Sequence, residues 1–153
     1  MFINNRIFLD SSILVEKAKG TKEELFDFLI DNSTIEKCIN TIVLSEFTYY
    51  FLAIEGSSSP RTLKEKKIIP TILQQNNPVI LLELFTYLTD SQAIVGTYLD
   101  LMQKYNLLPN DALILATFKI HQIQQIASFD STDFENACLG ENIKLVQRIE
   151  DLL

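Results

Sequence analysis

Two short strand candidates, Arg6 to Leu9 and Ile123 to Phe129, close on the apolar stretches IFLD and IASFD and so end on an aspartate each, Asp10 and Asp130. After the first of them, Ser11, Ser12 and an Ile-Leu-Val segment read as the start of a helix, giving the order strand, acid, helix. Strands that alternate with helices build a mainly parallel sheet joined by right-handed crossovers. Ligands collect beyond the carboxyl ends of such strands, so an acid at a strand end is placed where chemistry occurs.

The rest of the chain keeps the alternation. Thr21 with Glu24 forms a capping box before Leu25, Phe28 and Leu29 at helical spacing. The β-branched run Cys38 to Val43 predicts a second strand, after which Ser45 caps a helix to about Ile54 with Glu46 in its first turn. EGSSSP, residues 55–60, is a loop, and a basic helix follows from Arg61 to Leu73. Val79 to Leu84 is a third strand candidate, and Thr89 with Gln92 caps a helix to Tyr105 whose apolar face is Ile94, Tyr98, Leu101 and Met102. Asn110 is the natural N-cap of a helix reading ALILATFKI, with Asp111 in its first turn, and Ile143 to Val146 is a last strand.

Composition narrows the class. At 153 residues, 47% hydrophobic and 22% charged, the chain predicts one domain over 1–153. Cys38 and Cys138 form neither a CxxC pattern nor a disulfide framework, and MFINNRIFLD lacks a signal peptide's regions, so a cytoplasmic protein is expected. Val79 to Leu88, the strongest apolar run, is interrupted by Glu83 and falls short of a membrane span. The formal charge of −7 is the wrong sign for gripping nucleic acid through the whole surface, although carboxylates that gather cations contribute to it. Arg61, Lys64, Lys66 and Lys67 form one basic cluster, which on a helix is ordinarily a solvated face.

Asp10 and Asp130 end strands, while Glu46 and Asp111 open helices, so all four acids can meet at one sheet edge. Singly, each has a plain structural use as a helix cap or a first-turn acid facing the helix dipole. Together they have a chemical one. Packed carboxylates repel unless a cation joins them, and magnesium prefers oxygen ligands. Such ions polarise a phosphodiester and lower the pKa of a bound water, with no histidine or cysteine required. His121 is expected at a helix end, satisfying free carbonyls. Tyr49, Tyr50 and Phe51 are read as core or interface residues rather than base-stacking ones.

FLDSS near the start, LSEF after the second strand, LPNDALILA before a late helix and IASFDSTDF near the end resemble, in order and spacing, the PIN-domain superfamily and its VapC-type toxin ribonucleases. The resemblance implies a three-layer α/β/α sandwich with a mainly parallel central sheet. It implies an endoribonuclease dependent on magnesium or manganese, with Asp10, Glu46, Asp111 and Asp130 as catalytic metal ligands and Ser12 and Ser128 as supporting hydroxyls. It also implies a homodimer, an RNA substrate and an antitoxin partner. The family's ending keeps two aspartates two apart before Phe, whereas Asp130-Ser131-Thr132-Asp133-Phe134 is one residue longer. Asp130 is favoured as the fourth acid because it ends the strand, with Asp133 as a supporting or substitute ligand.

Two other classes are weighed against this reading. Haloacid-dehalogenase-like phosphatases require DxD where this chain has Asp10 and Ser12, and receiver domains require an acidic pair near the start, where the first nine residues hold no acid. A catalytically inactive PIN-like scaffold binding RNA or protein is the remaining alternative, and the presence of all four acids argues against it.

Overall fold

A computed structural model of the chain describes residues 5–152, and within them every side chain except that of Asp133. The elements run β1 (Arg6–Leu9), α1 (Ser11–Lys19), α2 (Glu24–Asp31), β2 (Glu36–Ile39), α3 (Thr41–Gly56), α4 (Pro60–Glu65), α5 (Ile69–Gln75) and α6 (Val79–Leu82). They continue β3 (Thr86–Tyr87), α7 (Ile94–Tyr105), α8 (Pro109–Ile120), β4 (Gln125–Ala127), α9 (Ser131–Gly140), β5 (Lys144–Val146) and a terminal 3₁₀ turn, Ile149–Leu152. Among the described residues the sheet has five strands in the order β3-β2-β1-β4-β5, each pair parallel. Helices cover it in a three-layer α/β/α arrangement, as the family resemblance implies, and the parallel pairing is what the alternation predicts.

Register aligns Phe8 with Cys38 on one side and Ile126 on the other, and Leu9 with Ala127, so β1 and β4 finish side by side. The chain winds outward from β1 to β3, then crosses back to β4 and β5. The strand order therefore reverses between β1 and β4, which is the crevice where parallel sheets bind ligands. Fully buried Phe8 fixes the centre of the core, 5.8 Å from the ring of Phe118 on α8. Both cysteines are buried free thiols, and burial pushes them up to about 11 (Cys38) and about 12 (Cys138), which keeps them inert.

Several local expectations give way to side-chain chemistry. The second strand stops at Ile39 because Asn40 turns its Oδ1 to accept from the Val43 amide at 3.0 Å. The β-branched residues Thr41, Ile42 and Val43 thus enter a helix instead, and Ser45 is not its cap. Val79 to Leu84 is not a strand: Asn77 Oδ1 accepts from the Val79 amide, Val79–Leu82 is helical, and Thr86–Tyr87 is the strand beside β2. A short apolar run fits either state by pattern alone. Neither capping box forms. The Thr21 hydroxyl bonds back to Glu16, and the two helices open after Glu23 and Ala93, which make no side-chain cap bond. The basic segment is two helices, α4 and α5, broken where Lys67 takes a left-handed backbone (φ 57°). The late strands are shorter than predicted, while Ile94, Tyr98, Leu101 and Met102 do pack on the core. His121 Nε2 lies 2.8 Å from the Thr89 carbonyl, the carbonyl-satisfying use expected of it.

Beyond the sheet, Glu141 ties three helices together. Its carboxylate accepts from Lys119 Nζ (2.6 Å), Lys104 Nζ (3.0 Å) and Tyr105 Oη (2.9 Å). The hydrogen bond from Lys119 does most to hold its pKa down at about 2, from an ordinary 4.5. A depressed carboxyl stabilises the fold above its unfolded pKa and loses that as pH falls through the folded value. With both lysines about half exposed, Glu141→Gln is expected to cost about 1 kcal/mol at pH 7 and almost nothing near pH 2. Urea midpoints at several pH values check this; a cost independent of pH would refute the ion-pair account.

Candidate active site

Asp10 leaves β1 with its amide bonded to the Ala127 carbonyl of β4 (2.9 Å), which sets it at the strand-order reversal. Its side chain caps α1 through the Ser12 amide, so the plain structural reading of Asp10 is correct. The same carboxylate does more. Oδ2 also accepts from the Ser12 hydroxyl at 2.7 Å and the Ser128 hydroxyl at 2.8 Å, one from each side of the crevice. Ser128 is fully buried, and each serine is itself oriented: Ser12 Oγ accepts from the Phe129 amide and Ser128 Oγ from the Asp130 amide, both at 3.0 Å.

Asp10 is 5% exposed, and burial raises its pKa above the ordinary value. The Ser12 and Ser128 hydrogen bonds partly oppose this, while the negative charge of Glu46 adds to it. A carboxylate is thus held in a fixed direction but disfavoured in its charged form, the state a nearby cation would relieve.

Glu46 lies in the second turn of α3, not the first, because the helix begins at Thr41. The dipole role expected for a first-turn acid does not apply, and two hydrogen bonds hold the side chain instead. Ser11 Oγ donates to Oε2 and Asn110 Nδ2 to Oε1, both at 2.7 Å. Asn110 is not the cap of α8. Leu108 occupies that position and Pro109 the first helical one, leaving the Asn110 amide directed at Glu46. Neither Ser11 nor Asn110 is marked as a site residue by the sequence pattern, since both look like ordinary helix-start residues.

Asp111 is in the first turn of α8, as expected. Asp130 stands three residues beyond the end of β4, immediately before α9, rather than on the strand end itself. Asp10, Glu46, Asp111 and Asp130 nevertheless line one cleft of ≈ 420 Å³, together with Ser12, Lys19 and Tyr50. Asp133 belongs to α9, and its side chain lies outside the described residues. Of the aromatic run, Phe51 is core as predicted, but Tyr50 is half exposed at the cleft.

The PIN domain family model matches residues 7–138. The chain belongs to the PIN-domain family. All four acids fall inside that span. Ribonuclease VapC2 of Methanocaldococcus jannaschii is 36% identical over 146 residues, covering 92% of this chain and 95% of that protein. Ribonuclease VapC6 of the same organism is 30% identical over 151 residues, covering 92% and 97%. Among solved structures, VapBC2 from Rickettsia felis bound to a promoter DNA fragment superposes with a TM-score of 0.60 at 17% identity, over 92% of this chain and 97% of that one. A toxin-antitoxin complex from Klebsiella pneumoniae gives 0.58 at 23% identity, over 84% and 89%. At those identities the structural likeness establishes the PIN fold. No helix among the described residues is long and apolar enough to cross a membrane.

Proposed function

We propose that this PIN-domain protein, acting as one domain over 1–153, is a divalent-metal-dependent endoribonuclease and the toxin of a toxin–antitoxin pair. The observation that carries the reading is the buried, doubly hydroxyl-bonded Asp10 sharing a cleft with Glu46, Asp111 and Asp130. VapC ribonuclease relatives and toxin–antitoxin neighbours support the substrate class and an antitoxin partner, and a cytoplasmic site of action is proposed with them. A homodimer is proposed with them.

The donor set fits a hard cation: four carboxylates and no histidine or thiol. Among the described residues these acids do not already close into a group of three around one point. Magnesium or manganese there would complete its shell with water, as magnesium ordinarily does. When bound, the ion supplies an activated water and neutralises charge on the phosphodiester. The protein's part is orientation. Ser12 and Ser128 aim Asp10, Ser11 and Asn110 aim Glu46, and Asp111 and Asp130 extend the acidic wall.

Asn110→Ala is expected to leave the melting temperature nearly unchanged, because Asn110 does not cap α8, and to lower kcat/KM for RNA about tenfold by releasing Glu46. A loss of stability with activity intact would restore the capping role. The reading as a whole is tested by incubating purified protein with cellular RNA in magnesium, manganese or EDTA, beside a calorimetric metal titration. Metal-dependent cleavage supports it, whereas no cleavage with a flat titration would favour the inactive scaffold.

A further inference from the structure

A second depression, ≈ 500 Å³, adjoins the acidic cleft. Two segments serve both. After β4, Asp130 lines the cleft and the preceding residue, Phe129, lines the depression; at the end of α1 Lys19 lines the cleft, and in the turn that follows Lys22 lines the depression. The floor includes Leu25 and Phe129, and the rim carries the exposed cations Lys22 and Arg148. Lys22 Nζ stands 5.3 Å from the centroid of the Phe129 ring.

We propose that this depression seats the unpaired nucleotide next to the bond that is cut, with its base against Phe129 and its phosphate between Lys22 and Arg148. The proposal rests on the ribonuclease reading and adds to it a seat for the nucleotide beside the reacting bond. An aromatic ring with a cation above it is a sequence-tolerant surface for a base, and the volume suits one nucleotide. A base can enter such a recess only when splayed out of a duplex.

The seat is preformed and coupled to the reacting centre. The Phe129 amide donates to Ser12 Oγ, and that same hydroxyl donates to Asp10, so one serine fixes both the Phe129 backbone and the buried acid. On the opposite rim, Asp151 accepts from the Gln147 and Arg148 amides at 2.8 and 2.9 Å and stands 3.5 Å from the Arg148 guanidinium, so it holds both the turn and the cation, and a phosphate would share Arg148 with it. Glu24 and Glu150 also face the depression and provide acceptors for a base's amino group.

Two arms separate this proposal from the ribonuclease reading. In EDTA, where no cleavage occurs, each of the four nucleoside 5′-monophosphates is added while amide NMR signals are followed. The Lys22, Phe129 and Gln147 signals are expected to shift saturably, and about tenfold more weakly in the double variant Lys22→Gln, Arg148→Gln. Phe129→Leu keeps apolar volume but removes the ring; it should weaken nucleotides and leave inorganic phosphate unaffected. In the kinetic arm, the double variant should raise KM for a single-stranded RNA about tenfold at unchanged kcat, and reduce the slope of log KM against log salt by about 0.7 for each phosphate that is no longer neutralised. Melting curves confirm the fold of each variant. Shifts confined to the acidic cleft, or an unchanged KM and salt slope in the double variant, would overturn the proposal. Nucleotide shifts at Lys22 and Phe129 without RNA cleavage in any metal would sink the ribonuclease reading and leave the nucleotide seat standing.

Discussion

Asp10→Asn is expected to reduce RNA cleavage by about 10³-fold or more while leaving a folded protein that, without metal, melts at or above the parent's temperature. The two halves of that result come from the same environment. Asn keeps the size of the side chain and an oxygen to accept from Ser12 and Ser128, but it removes the negative charge that the proposed metal requires. Burial raises the Asp10 pKa above 3.8. A carboxyl raised in this way stabilises the fold below its unfolded pKa, and that stability is lost as pH rises through the folded value. The metal-free parent is therefore strained at neutral pH in a way the amide variant is not. Magnesium should reverse the order, raising the parent's melting temperature by mass action on the ionised form and scarcely moving the variant's. Melting curves in EDTA and in millimolar magnesium, from pH 4 to 8, distinguish the cases. If the variant melts several degrees lower in EDTA, Asp10 is a structural cap first; if it still cuts RNA in a metal-dependent way, the acid has been misassigned.

The contrast between Asp10 and Asn110 shows what is legible in such a sequence. Asp10 is legible because an apolar strand ending on an acid fixes both its element and its edge, and no neighbour competes for that position. Asp111 is legible from its place at the start of a helix. Glu46 is recognisable as an acid of the right order, but its turn is not. Asn40, six residues earlier, claims the strand end by bonding the Val43 amide, and a β-branched run hides that switch. Asn110 misleads because Pro109 can hold the first helical position as readily as Asn110 can cap, and the sequence does not say which occurs. Val79 to Leu84 is too short to decide by pattern: five apolar residues around Glu83 suit a strand or a helical turn, and Asn77 with Pro78 selects the turn. The depression beside Phe129 draws on three segments, residues 22–25, 129 and 147–150, which no local pattern brings together.

Asn40 also carries the largest expected effect on stability. Fully buried at the end of β2, it uses both ends of its amide: Oδ1 caps α3 through the Val43 amide, and Nδ2 donates to Thr117 Oγ1 of α8 at 3.0 Å. The Thr117 hydroxyl, equally buried, passes its own proton on to Asp90 Oδ1 at 2.7 Å. Asn40→Ala removes a cap, strands a buried amide donor and leaves a small void, together about 3 kcal/mol. Asn40→Asp retains the cap, and on a capping argument alone should be harmless. The hydrogen-bond directions predict the opposite. Thr117 has one proton, already given to Asp90, so the introduced carboxylate would face an acceptor without a donor in a buried site. Its pKa would be raised, and the variant should therefore be more stable at pH 4 than at pH 7, where it falls below Asn40→Ala. Urea unfolding of both variants at the two pH values tests the ordering, and equal stability of Asn40→Asp and the parent at pH 7 would show that the cap is all Asn40 supplies. Because Asn40 joins α3, which carries Glu46, to α8, which carries Asp111, the folded fraction of either variant should also cut RNA more slowly than the parent.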